Sequence, residues 1–151
     1  MHHDIDITRK NRTLLEGFLD RFSLEELNKV PQGFKNNIIW NIAHCIVTEQ
    51  ILVYRLSNLP MNLPQEFIDR FKKRTKTEED LNQDEVNYIR SVLFSPLEQT
   101  EKDFNAGTFK TFNEYTVSTG STLTNIDEAL AFNNFHEGIH YGYILALIKS
   151  L

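Results

Sequence analysis

The stretch "NNIIWNIAHCIVTEQILVYRLSNLP", residues 36–60, constrains this chain more than any other. It opens on asparagines that can cap a helix, runs without Gly or Pro, and is halted by Pro60. Its apolar residues fall on nearly every side of the helix that the spacing predicts, so a single packing neighbour leaves much of it uncovered. Such a helix has to sit centrally, with other helices around it.

The rest of the chain supplies those neighbours. In "ITRKNRTLLEGFLDRF", Leu14, Leu15, Phe18 and Phe22 recur at spacings of three and four, which predicts an amphipathic first helix. Ser23 to Glu26 form a capping box that opens a short piece stopped before Pro31. "LPQEFIDRFKKR" gives one short helix, and "NQDEVNYIRSVLFSPLEQTEKDF" a long one that Pro96 should kink. "NAGTFKTFNEYTVSTGSTLT" is a polar connection with a strand-like segment at Tyr115 to Val117. A second capping box, Asn125 to Glu128, starts a helix that runs to Leu151. The expectation is an all-α, four-helix bundle with long crossover connections, forming a single domain over residues 1–151.

Charge narrows the partners. Lys and Arg total 16 against 21 Asp and Glu, a net charge of −5. That disfavours nucleic acid, whose binders show a basic face. Lys72-Lys73-Arg74 with Lys76 is the one basic cluster, and it reads as a solvated helix end. No stretch approaches the ~18 uninterrupted apolar residues of a membrane span, and "MHHDIDITRK" carries acids where a signal peptide has an apolar core. Cys45 is the single cysteine and has no internal disulfide partner, which points to a soluble, cytoplasmic protein. His2 and His3 are expected to fray at the terminus and carry no function.

The chemistry concentrates in "NNFHEGIHYGYI", where His136 to His140 spell H-E-x-x-H. Three readings are open: a metalloprotease helix, a different metal site with the same letters, or two core histidines bonded to carbonyls or water. Positions 136 and 140 lie ~40° apart around a helix and share a stripe with Ala129, Asn133, Ile144, Leu147 and Leu151. A zinc-type site needs at least three protein donors. After His140 the chain reads "YGYILALIKSL", without His, Asp, Glu or Cys, so the downstream third ligand of H-E-x-x-H proteases is absent. A strand edge to hold a peptide is missing as well, and the protein is not expected to be a peptidase. Upstream, His44 stands in "WNIAHCIV" on a stripe with Trp40, Val47 and Ile51. Three inward imidazoles make a set of neutral nitrogen donors suited to zinc or nickel. Cys45 is displaced ~100° from His44 and cannot aim at the same ion, so it reads as a small buried hydrophobe.

"IIWNIAHCIVTEQ" and "FHEGIHYGYI", with the order and lengths of the helices, resemble the DinB-like family of metal-dependent proteins, which has YfiT-like members. The resemblance implies a four-helix bundle whose metal is held by one second-helix histidine and an H-x-x-x-H pair on the last helix. By position these are His44, His136 and His140. Gly142 matches a glycine that commonly follows the pair, but the Arg and Gln that often flank it are here Tyr141 and Tyr143. Some relatives resemble transferases that use bacillithiol, mycothiol or glutathione, so a low-molecular-weight thiol is an implied cofactor.

The function expected is therefore that of a metal-dependent hydrolase or thiol-dependent S-transferase with a small-molecule substrate. Three neutral imidazoles leave the ion its full charge, enough to lower the pKa of bound water to ~7 or to hold a thiol as thiolate. The rival is a non-catalytic bundle, with a structural metal, ligand binding alone, or a stress-response interaction role. Glu137 projects ~80° from the mean direction of the two histidines; it is a candidate for acid/base catalysis, against an ordinary solvated glutamate. Asn133 could orient a ligand or bond locally, and Trp40, Tyr141 and Tyr143 could line a pocket or fill the core. Helices apolar nearly all round suggest a homodimer.

Overall fold

The computed structural model of the protein describes residues 2–151. Its helices are α1 (His3–Arg21), α2 (Leu24–Asn28), α3 (Ile38–Gln50), α4 (Gln65–Phe71), α5 (Gln83–Ser91), α6 (Ser95–Asn105) and α7 (Ile126–Ile148). Among the described residues the only strands are β1 (Tyr115–Thr116) and β2 (Thr122–Leu123), an antiparallel ribbon pairing Tyr115 with Leu123 and Thr116 with Thr122. The protein is thus mostly helical, of the all-α class, and the strand-like segment at Tyr115 is one arm of that ribbon. Among the described residues no helix is long and apolar enough to cross a membrane.

α3 takes the central place its sequence demanded. Asn37 caps it by accepting from the Trp40 N–H, and every residue of the helix except Thr48 is buried. Beyond Gln50 the helix widens into a π-helical turn, Ile51–Arg55. α3 packs against α7, α1 also packs along α7, and α2 and α4 cover more of α3.

Several boundaries differ from expectation for local reasons. The kinked helix is two helices: α5 ends at Ser91, and Pro96 sits in the first turn of α6, where a missing N–H leaves no bond unmade. At Asn125 only half of the capping box forms, because Glu128 takes the N–H and hydroxyl of Thr124 in place of the Asn125 N–H. Leu14 is 49% exposed; the inward line of α1 is Ile5, Thr8, Arg12, Leu15 and Leu19. His2 and His3 do not fray either. His2 caps α1 by accepting from the Asp4 N–H and meets Asp127, at the start of α7, at 3.0 Å.

Candidate metal centre

α3 and α7 bring together the histidines that the sequence singled out. His44 stands on α3, and His136 and His140 stand one turn apart on α7. Ring centroids are 5.0 Å apart for His44 and His136, 4.7 Å for His44 and His140, and 4.5 Å for His136 and His140. One nitrogen from each ring falls in a group whose members all lie within 4.8 Å of one another.

Hydrogen bonds at the far side of two rings decide which nitrogen is free. His44 Nδ1 lies 2.6 Å from the Phe71 carbonyl, which can only accept, so that nitrogen carries the proton and Nε2 keeps a lone pair. His140 Nδ1 lies 2.7 Å from Asn41 Oδ1. The Asn41 amide is oriented in turn, since its Nδ2 donates to the Asn37 carbonyl at 2.7 Å. His140 is therefore also an Nδ1–H tautomer with Nε2 free. Such bonds to the non-ligating nitrogen are the usual support of metal-binding histidines.

His44 Nε2 and His136 Nε2 face each other at 3.2 Å. Two ligands on one tetrahedral ion with ~2.0–2.1 Å bonds stand ~3.3–3.4 Å apart, so the spacing fits a shared cation. In the chain alone, a single proton on His136 Nε2 satisfies this facing pair and leaves His136 Nδ1 buried without a partner. A cation would satisfy all three lone pairs at once, and the donor set fits the group.

Electrostatics keep the rings neutral. Burial lowers the pKa of all three, most for His136, which His140 and His44 help push down to about 2. His140 falls to about 4, through burial and then His44. His44 is lowered by burial, opposed by its bond to Phe71. A metal arriving at neutral pH meets neutral rings and needs only the His136 proton to pass from Nε2 to Nδ1.

Trp40 stacks on His44, with centroids 4.5 Å apart and planes 12° from parallel. Tyr141 packs on Phe18 at 5.6 Å, and Tyr143 meets Phe34 edge-on at 5.4 Å, so both fill core contacts. Cys45 is fully buried, with its thiol pushed well above the usual range by that burial.

Glu137 is not a solvated glutamate. It is 1% exposed, and its Oε1 accepts from Arg12 Nε at 2.9 Å, from Arg12 Nη2 at 2.7 Å and from Asn133 Nδ2 at 3.3 Å. Asn133 thus bonds locally. Arg12 is wholly buried and also donates to the carbonyls of Leu93 (2.9 Å) and Cys45 (3.5 Å). A second buried carboxyl, Glu49, accepts from the Thr100 hydroxyl and from Gln50 Nε2, each at 2.7 Å. Burial raises its pKa, with Arg12 opposing. Sequence reasoning missed Arg12, Glu49 and Asn41. The signal for Arg12 was its place between Thr8 and Leu15 on the inward line of α1, and for Glu49 its place in a helix apolar all round.

Together the fold and the site define a class: helical proteins in which one buried helix and the last helix converge a single histidine and an H-x-x-x-H pair. The model of the DinB superfamily matches residues 7–144, and the chain belongs to that superfamily. No curated protein matches it.

Proposed function

We propose that this protein is a metal-dependent enzyme acting on a small molecule, as a hydrolase or a thiol-dependent S-transferase. The ion would be zinc or nickel, held by Nε2 of His44, His136 and His140. The observation that carries this reading is the pair of fixed tautomers: Phe71 and Asn41 hold His44 and His140 so that their free lone pairs meet His136 at one locus. When bound there, a divalent ion supplies Lewis-acid activation of a water or thiol. Among the described residues the group contains no fourth donor, which favours an open coordination position over a closed structural site. Superfamily membership supports a thiol such as bacillithiol, mycothiol or glutathione as co-substrate. Acid/base work by Glu137 would fall to its Oε2, which no protein group bonds, because Oε1 is taken by Arg12 and Asn133.

The same reading takes α1, α3, the α5–α6 pair and α7 as the members of a four-helix bundle, with residues 1–151 as one domain. It places the protein in the reducing cytoplasm, where the buried Cys45 stays a thiol, and makes it a homodimer. A peptidase is disfavoured by the upstream position of the third ligand. Elemental analysis tests the site: native protein should carry one divalent ion per chain and His140→Ala should lose it. Equal metal in both would remove His140 from the ligand set. Cleavage of an unstructured protein, abolished by chelator and by Glu137→Gln, would restore the peptidase. Metal-dependent turnover of a thiol conjugate or small ester would support the proposed chemistry.

A further inference from the structure

On the outer side of the wall that holds His44 lies a cavity of about 620 Å³, to which none of the three histidines contributes. Its size falls within the ~300–1,000 Å³ of small-molecule sites. Trp40, Phe71 and Leu81 give it an apolar side, while Lys35, Arg74 and Lys76 bring positive charge. Two further lining charges are spoken for: Arg70 bonds Glu85 at 2.6 Å and Asp69 bonds Lys72 at 2.7 Å. Glu78 and Glu79 set two carboxylates against three cations, leaving a positive surplus in a chain of net charge −5. Among the described residues Lys35, Arg74 and Lys76 make no ion pair.

The backbone beneath this charge is strained. The Thr75 N–H donates to the Lys72 carbonyl at 3.2 Å, closing a turn in which Arg74 takes φ +72°. Glycine or asparagine belongs at that position, and a long side chain there persists only when its surroundings hold it. The hold is visible: Trp40 Nε1 donates to Thr75 Oγ1 at 3.2 Å, and that hydroxyl donates to the Lys72 carbonyl at 2.7 Å. Hence the basic cluster is not merely a solvated helix end. It is a pinned turn that presents a guanidinium to a cavity. The cavity and the histidine cluster share their supports, for Trp40 stacks on His44 and the Phe71 carbonyl accepts from His44 Nδ1.

We propose that this cavity binds a small organic anion, a carboxylate or phosphate monoester on an apolar or aromatic stem. Arg74, Lys35 and Lys76 take the anionic group, and Trp40, Phe71 and Leu81 take the stem. Its meaning as a subsite of the proposed enzyme rests on the metal reading, but the binding itself does not.

Trp40 is the only tryptophan in the chain, so its emission reports directly on the cavity wall. Phenyl phosphate, titrated into the full chain with and without chelator, should change that emission saturably in both cases. Phenol, which offers the ring without the dianion, should bind at least tenfold more weakly, and rising salt should weaken phenyl phosphate alone. Arg74→Gly removes the cation while relieving the turn, so it should fold and still lose at least tenfold in affinity for phenyl phosphate. Equal affinity for phenol and phenyl phosphate, or an unchanged constant in Arg74→Gly, would overturn the assignment. Saturable binding by a protein that takes up no divalent ion even when one is supplied would leave the anion site standing and sink the metal reading. A metal-loaded chain that phenyl phosphate never saturates would do the reverse.

Discussion

Arg12 and Glu137 place an ion pair in the interior, with both side chains at 0% exposure. Removing one partner from such a pair leaves a buried charge with nothing to answer it, typically at ~3–5 kcal/mol. Arg12→Met should therefore destabilise the protein by about that amount in chemical denaturation. Arg12→Met combined with Glu137→Leu should recover most of the loss; a single variant as stable as native would show that the pair is not desolvated in solution. Glu49 behaves differently, because its pKa is raised above the usual 4.5 and the folded chain holds its proton more tightly than the unfolded one. The stability this group brings is full below the unfolded pKa and drains away as pH rises through the folded one. The histidines work in the opposite sense. With folded values of about 2 for His136 and about 4 for His140, their contribution is full above the ordinary 6.5 and is lost as pH falls below it. Glu49→Gln mimics the protonated acid: its amide can donate to Thr100, whose hydroxyl turns to the Pro96 carbonyl at 3.1 Å. Melting curves across pH should show the variant ahead of native at pH 8, converging toward acid, with the acid-side loss unchanged. A constant offset at every pH would mean that Glu49 titrates in the folded chain as it does in the unfolded one.

At the scale of the elements, the sequence showed which helices meet but not how they are turned. α3 was legible because apolar residues on every side leave only a central position. His44 and the α7 pair were legible because the helical period aims each of them inward. The rotation of α7 was not. Asn133 and Glu137 are 0% and 1% exposed and define its inward line, so the two histidines stand to one side of it. A carboxylate reads as outward-facing until the cation that draws it in is known, and that cation sits on α1, 125 positions away. Asn41 was a quiet neighbour one turn before His44, and the Phe71 carbonyl has no sequence signal at all, because any residue there would supply it. The break before Pro96 was only half legible. The residue type forecast a disturbance, but not that the chain would leave the helix over residues 92–94 and start a new one.

The whole molecule leaves one helix face in need of a partner. Between Glu128 and Lys149 the only charged residue of α7 is Glu137, and that is buried. The outward side shows Phe135 at 54%, Ile139 at 49% and Leu145 at 41% exposure, separated by Gly138 and Gly142. Apolar surface of this kind, left open on a helix, marks a contact site. The homodimer that we propose would use it. A two-fold axis brings the stripe against its own copy, and a face without charges buries none when it meets itself. The glycines, having no side chain, let two helix backbones approach closely around the three apolar residues. Light scattering at micromolar concentration should then give twice the 17.7 kDa chain mass. Ile139→Lys would set two like charges against each other across the axis and should return the mass to 17.7 kDa, with helix content and metal content unchanged. A native protein that runs at 17.7 kDa would rule out the dimer, and an Ile139→Lys protein that still pairs would move the interface to another face.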